Sequence, residues 1–136
     1  MATLTIPDSH KMLLEKPIVA SLATMMPSGL IQVNPVWVDY DGTHVRFNSA
    51  EGRQKDRNVK KNSAVTVLLV DPEDVYFWLE VRGRVTEITH EGADAHIDSL
   101  AKKYLGKDKY PNRREGEIRL TYIIEPERVR ALGSRK

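Results

Sequence analysis

Residues 30–42, LIQVNPVWVDYDG, have the character of a long strand whose apolar side chains change phase once. Apolar residues occupy odd positions before the proline and even positions after it: Ile31 and Val33, then Val36, Val38 and Tyr40. A slip of one residue moves every later side chain to the opposite face of a sheet, unless a bulge absorbs the extra residue. Pro35 lies at the slip, and proline within a sheet is confined to edges and bulges. We therefore predict a bulge near Asn34–Pro35 that turns Trp37 to the opposite face, although an irregular edge strand without function gives the same pattern.

Turn residues and alternating apolar positions predict further strands on both sides of this stretch. Asp41-Gly42 is a strong hairpin signal. The predicted strands cover residues 18–24, 30–40, 45–48, 64–70, 75–89 and 118–124; the predicted helices cover a short capped segment from 8 to 17, then 52–62 and 91–105. Pro126 is expected to begin a short tail. Because a doubly wound sheet needs a helix after nearly every strand, these six strands predict a mainly β (α+β) fold, a six-stranded antiparallel barrel, in one domain spanning residues 1–136.

Composition excludes several classes of site. The chain has no cysteine, which rules out disulfides and thiolate ligands or nucleophiles, and its four histidines lack the spacing of zinc ligands, so no metal is expected. His44, His90 and His96 are predicted to lie on the surface. The net charge of +2 is too small to indicate nucleic acid binding by itself. No apolar run is long enough for a membrane span, and Met1–Pro7 lacks the basic start of a signal peptide, so we expect a cytoplasmic protein.

The most polar segment is Arg53–Lys61, which has five basic residues, one acid and one apolar side chain. A helix that is polar all round gains little from packing. Gly52 precedes it and allows a tight turn into the helix. The free amides of a helix start, together with Arg53, Lys55 and Arg57, form a candidate anion site suited to phosphate. A solvated charged face is the alternative interpretation.

Several short motifs follow one another along the chain: Val19–Thr24, Gly29, Gln32–Trp37, Asp41-Gly42, Phe47–Ser49, Gly52–Asn58, Asp71-Pro72 and Trp78–Gly83. Their order resembles the pyridoxamine 5'-phosphate oxidase-like family of split β-barrel flavin and deazaflavin oxidoreductases. Each motif alone is weak, whereas their succession over residues 18–129 is specific. The short chain and the Arg-x-Lys-x-x-Asn segment are most similar to the subgroup that uses coenzyme F420, an 8-hydroxy-5-deazaflavin.

The resemblance implies a split β-barrel homodimer with short flanking helices and a cofactor in each groove between the subunits. It also implies roles for ten residues: Pro35, Val36 and Trp37 at the tricyclic ring, Asn48 and Ser49 at the ribityl-like chain, Arg53, Lys55 and Asn58 at the phosphate with Gln54 nearby, and Trp78 as a wall of the groove from either subunit. Tyr76 and Trp78 share a polar strand face, and such a face is also typical of a dimer interface.

The activity implied by the resemblance is hydride transfer between reduced coenzyme F420 and an electron-poor small molecule of the enone, quinone or tetrapyrrole type. No catalytic acid or base can be named. FMN is an alternative cofactor, because it also carries a phosphate, and a non-enzymatic carrier of F420, flavin or haem is a further alternative. A single-stranded nucleic acid partner is disfavoured because acids interrupt the basic surface. No membrane partner is expected, and the sequence does not show whether residues 107–115 cover the groove.

Overall fold

The computed structural model describes residues 4–134, so the first three residues of the segment considered for a signal peptide lie outside the described part. Its strands are β1 (Ala20–Met25), β2 (Ile31–Val36), β3 (Val38–Tyr40), β4 (Val45–Ala50), β5 (Ala64–Asp71), β6 (Asp74–Thr89) and β7 (Arg119–Leu132). A 3-10 turn (Asp8–His10) precedes the helices α1 (Met12–Glu15), α2 (Gln54–Lys61) and α3 (Ala93–Leu105). All strand pairs are antiparallel, in the order β2-β1-β5-β6-β7-β4-β3. The predicted mainly β antiparallel fold with short helices is confirmed.

The sheet has seven strands rather than six because the predicted second strand breaks at Trp37. On one side of the break β2 pairs with β1, and on the other side β3 pairs with β4. These two strands are the opposite edges of the sheet. Since a single residue joins the two edges, the sheet must curl, and the result is the split barrel.

The change of phase concerns only the apolar residues, and the prediction that a bulge accompanies it is wrong. Ile31 and Val33 are 63% and 61% exposed, whereas Val36 and Val38 are buried. The predicted bulge near Asn34–Pro35 is absent from the described ladder, since both residues pair with β1 in regular register. The side chains keep one alternation throughout: Ile31, Val33 and Pro35 are exposed, whereas Val36 and Val38 face the interior. The slip therefore reflects apolar residues on the exposed face of β2, and no side chain changes face at the break.

The last strand also differs from the prediction, because β7 continues through Pro126 instead of ending before it. Pro126 pairs with Gly83 where the β6–β7 ladder shifts register, and a bulge tolerates a residue that has no N–H to donate. A Cβ atom at Gly83 would lie 2.2 Å from the carbonyl oxygen of Glu125. The two strands therefore approach each other closely only because residue 83 is glycine.

The barrel interior is filled by the apolar faces of the strands. The face of β6 predicted to be apolar is buried, and in the centre the rings of Phe47 and Tyr122 stack with centroids 4.4 Å apart. Leu13 and Leu14 of α1 and Val59 of α2 join this core. No helix within residues 4–134 is both long and apolar enough to cross a membrane.

Candidate functional site

A cavity of about 380 Å³ brings together the two features that the sequence singled out. The strand break contributes Pro35, Val36 and Trp37, and the start of α2 contributes Arg53 and Lys55. The remaining lining residues come from the segment before β1, from β4, α3, the loop after α3 and β7: Val19, Asn48, Ile97, Leu100, Tyr110, Asn112 and Arg119. One end is therefore cationic, and the other is apolar and aromatic.

Three cations and one carboxylate form the cationic end. The Arg119 side chain is 2% exposed and donates from Nη1 to Oε1 of Glu117 at 2.8 Å. Arg53 Nη2 lies 3.5 Å from the other oxygen of Glu117. Lys55 makes no ion pair with an acidic residue of the described chain, so three positive charges share one negative charge.

The environment of Lys55 disfavours its own charge. Burial lowers the pKa of the Lys55 ammonium below the ordinary lysine value of 10.5, and the neighbouring positive charges of Arg53 and Arg119 lower that pKa further. An anion bound between these groups would offset both effects. A group of three cations that shares one carboxylate is an arrangement suited to an anion.

Two other basic residues of α2 are engaged locally. Arg57 donates to the carbonyl of Gly52 and to the side chain of Gln54, each at 2.7 Å. Lys60 donates to Asp56 at 3.0 Å. Arg57, which the sequence suggested for the anion site, is not among the lining residues, and Arg119 from β7 takes a place there instead. Arg53 is the N-cap residue of α2, and its side chain makes no hydrogen bond to the first turn. The backbone amides of that first turn therefore remain available as donors.

An aromatic group fixes the strand break against α3. The Trp37 ring stacks on Tyr104 with centroids 5.2 Å apart and meets the edge of Tyr110 at 5.9 Å. Tyr104 Oη accepts from the Val38 amide at 3.1 Å and donates to the Ile18 carbonyl at 2.8 Å. Tyr110 and Asn112 show that the loop after α3 forms part of the cavity wall.

The prediction that His96 lies on the surface is wrong. His96 is 6% exposed, with Nε2 3.1 Å from Oδ2 of Asp39 and Nδ1 3.0 Å from Oγ1 of Thr121. Its Nδ1 is also 3.2 Å from Nδ2 of Asn48. Asn48 Oδ1 in turn accepts from Arg119 Nε at 2.9 Å. A buried polar network thus reaches the cavity through Asn48.

Of the ten predicted site residues, six line the cavity and four do not. Asn58 is fully buried and donates to Thr24 Oγ1 at 3.0 Å, while it accepts from Gln54 at 2.7 Å. Ser49 is buried in β4, and Trp78 lies in β6 opposite Val70. Asn58 and Gln54, both in α2, therefore hydrogen-bond to each other and to Thr24 of β1 instead of lining the cavity. No group of three or more histidine, aspartate or glutamate side chains within residues 4–134 is arranged to hold a metal ion.

Sequence reasoning missed Arg119 and Tyr110. The available signal for Arg119 was an arginine inside an otherwise apolar strand, a position where a buried charge needs partners. Tyr110 carried no signal of its own, and its ring lies 5.1 Å from the guanidinium carbon of Arg119.

Comparisons with known proteins agree with this architecture. A solved structure named F420 reductase is 34% identical, has a TM-score of 0.81, and aligns over 92% of this chain and 98% of its own. A conserved hypothetical protein from Mycobacterium tuberculosis (19% identity, TM-score 0.76, 99% and 89% covered) and HupZ from Group A Streptococcus (24% identity, TM-score 0.66, 96% and 98% covered) share the fold. A search of curated proteins gave no match. Residues 6–133 match the family described as pyridoxamine 5'-phosphate oxidase, and the chain belongs to that family.

Proposed function

We propose that this protein is a coenzyme F420-dependent oxidoreductase that transfers a hydride between the reduced deazaflavin and an electron-poor organic substrate of the enone, quinone or tetrapyrrole type. Family membership and the 34% identical structure named F420 reductase support the proposal. The observation that carries it is the presence of Arg53, Lys55 and Arg119 in the same cavity as the strand break at Trp37.

The donor set fits the phosphate-bearing part of such a coenzyme. Three cations face one carboxylate, Glu117, so the site keeps an excess of positive charge that suits a phosphodiester. The first-turn amides of α2 add donors at the positive end of a helix dipole. FMN would offer a phosphate to the same groups, and it remains the second candidate cofactor.

The residues of this chain bind and orient, whereas the bound coenzyme supplies the hydride chemistry. Arg53, Lys55 and Arg119 hold the anionic group at one end of the cavity. Ile97 and Leu100 exclude water from the other end, where Trp37 is fixed by its stacking on Tyr104. A fixed wall keeps a planar ring system in one orientation, which is the contribution a binding site makes to hydride transfer.

We also propose that the protein acts as a homodimer with the cofactor between the subunits. An exposed apolar strip extends over three neighbouring strands. Ile31 and Val33 lie on β2, which pairs with one side of β1, and Leu68 lies on β5, which pairs with the other side of β1. Val19, 51% exposed, also lines the cavity, so the strip continues to the cavity mouth. A cavity of about 380 Å³ is near the lower end for ligand sites, and a second subunit would enlarge it.

Calorimetric titration of the purified protein with coenzyme F420 and with FMN tests the cofactor. The activity is tested by following the oxidation of reduced F420 in the presence of the quinone menadione or the enone cyclohexenone. Preferred binding of F420 with turnover supports the proposal. Binding of FMN alone would change the cofactor, and F420 binding without turnover across quinones, enones and tetrapyrroles would indicate a carrier.

A further inference from the structure

A histidine buried behind the cavity is joined to three elements of the fold. His96 projects from α3, and its two ring nitrogens contact Asp39 of β3, Asn48 of β4 and Thr121 of β7. It does not line the cavity itself. The proposed binding of an anionic coenzyme gives it no direct role.

The partners of the ring determine which nitrogen carries the proton. Asn48 Nδ2 donates to the Ala93 carbonyl at 3.0 Å, and Asn48 Oδ1 accepts from Arg119 Nε at 2.9 Å. The amide nitrogen of Asn48 therefore faces His96, so Nδ1 of His96 must accept. The proton then resides on Nε2, which donates to Asp39.

Asp39 is held in the charged form that this arrangement needs. Burial opposes ionisation, but hydrogen bonds from His96 and Arg46 outweigh it and keep the pKa of the Asp39 carboxyl below its usual value. Arg46 binds both carboxylate oxygens at 2.8 Å, which fixes the direction of the carboxylate. The chain of hydrogen bonds thus runs from a partly exposed ion pair to the cavity.

We propose that His96 is a positioning residue for the anion-binding end of the cavity. By accepting at Nδ1 it holds the Asn48 carboxamide in one of its two flip states. Only that state turns Oδ1 toward Nε of Arg119, whose Nη1 is fixed by Glu117. The guanidinium then faces the cavity in one orientation, and this inference rests on the proposed binding of an anionic cofactor there.

Two substitutions at residue 96 separate positioning from mere packing. Glutamine can accept and donate in a similar arrangement, whereas leucine fills the space without polar atoms. We expect His96→Leu to weaken the binding of coenzyme F420 about tenfold and His96→Gln to change it less than about threefold, since a hydrogen bond to a charged group is at stake. His10→Leu is the matched control, because His10 is also a buried, hydrogen-bonded histidine, but its ring contacts Ser9 and the Leu132 carbonyl rather than Asn48. It should lower the Tm and leave F420 affinity within about threefold.

Nitrogen-15 NMR of the unliganded protein gives a second readout that needs no cofactor. We expect His96 to be the Nε2–H tautomer. We also expect the Arg119 Nε–H proton to exchange slowly with solvent, so that its signal is seen in the parent and in His96→Gln and is lost in His96→Leu. An Nδ1–H tautomer, or an Arg119 signal unaffected by leucine, would overturn the inference, as would His96→Leu binding F420 as tightly as the parent. If the parent protein binds neither F420 nor FMN, the proposed function fails, while the NMR result still decides the role of His96.

Discussion

The hydroxyl of Tyr122 donates a 2.7 Å hydrogen bond to Oδ1 of Asp56, and this contact connects the helix that carries Lys55 to the interior strand β7. The other oxygen of Asp56 accepts from the Gly52 amide at 2.8 Å and from Lys60 at 3.0 Å. Asp56 therefore fixes both the turn into α2 and the helix itself. Burial raises the pKa of Tyr122, and the adjacent Asp56 carboxylate raises it further, so the hydroxyl remains a donor.

Removal of that hydroxyl should weaken the fold by a defined amount. We expect Tyr122→Phe to lower the free energy of unfolding by about 1.5–3 kcal/mol, because the lost hydrogen bond is to a buried carboxylate. Urea denaturation measures the change. Tyr40→Phe is the control, since its buried hydroxyl has no hydrogen-bond partner among the described residues. A loss as large in Tyr40→Phe would show that the Asp56 contact is not responsible.

The β6–β7 contact at Gly83 predicts a sharper effect of a small substitution. Gly83→Ala places a Cβ 2.2 Å from the Glu125 carbonyl oxygen, so the two strands must separate. Such overpacking costs about 1–3 kcal/mol or more. Thermal unfolding should show a clear drop in Tm, whereas Arg84→Ala, next to it on the exposed face, should shift the Tm far less. Equal shifts would mean that the strands part easily here.

The sequence predicted these strands well because local patterns determine them. Alternation along β6 indicates a half-buried strand, whereas the slip of phase near Pro35 marks a move of the apolar residues from the exposed to the buried face of a regular alternation. What the pattern cannot show is which strands pair. The break at Trp37 joins opposite edges of the sheet, and that depends on contacts with β1 and β4 far along the chain.

Burial of polar groups was the harder part to predict. His96 and Arg119 are charged or polar in the sequence, and their burial depends on partners brought from separate elements, such as Asp39 and Asn48. The residues next to His96 and Arg119 in the sequence do not indicate which partners they contact. For the basic segment, the sequence predicted too many residues at the anion site. Arg57 is engaged in local hydrogen bonds, and only Arg53 and Lys55 of this segment's cations line the cavity.

Lys55 should contribute directly to the affinity for the cofactor. We expect Lys55→Ala to weaken the binding of coenzyme F420, or of FMN if that is the preferred ligand, by about 1.5–3 kcal/mol, the range for a hydrogen bond to a charged group. Calorimetry measures the loss. Lys61→Ala removes the same charge from the exposed end of the same helix and should have a much smaller effect. Unchanged affinity in Lys55→Ala would remove the anion site from the cavity.

The lowered pKa of Lys55 predicts opposite effects of pH on binding and on stability. The pKa of Lys55 in the folded protein lies below 10.5, so between that pKa and the unfolded value the unfolded chain binds more protons than the folded one. The free energy of unfolding of the unliganded protein therefore increases as the pH rises through this window. Affinity for F420 should fall over the same window, since the neutral amine loses its attraction for the anion. Titrations from about pH 8 to 10.5 test this against Lys55→Arg, which stays charged throughout. A parallel pH dependence in both proteins would contradict the assignment.

The exposed strip on β2 predicts the response of the oligomer to a buried charge. Val33 is 61% exposed at an edge strand whose other end, at Pro35, lines the cavity. If two copies meet there, Val33→Glu places two uncompensated carboxylates in an apolar interface, which costs several kcal/mol and should yield monomers by light scattering at micromolar concentration. The affinity for F420 should fall with it, because the cavity would lose its second wall. Val75→Glu alters an equally exposed valine on β6 and should remain dimeric. A dimeric Val33→Glu would place the interface elsewhere, whereas a parent protein that is already monomeric would contradict the homodimer and leave the cofactor to be held by one chain.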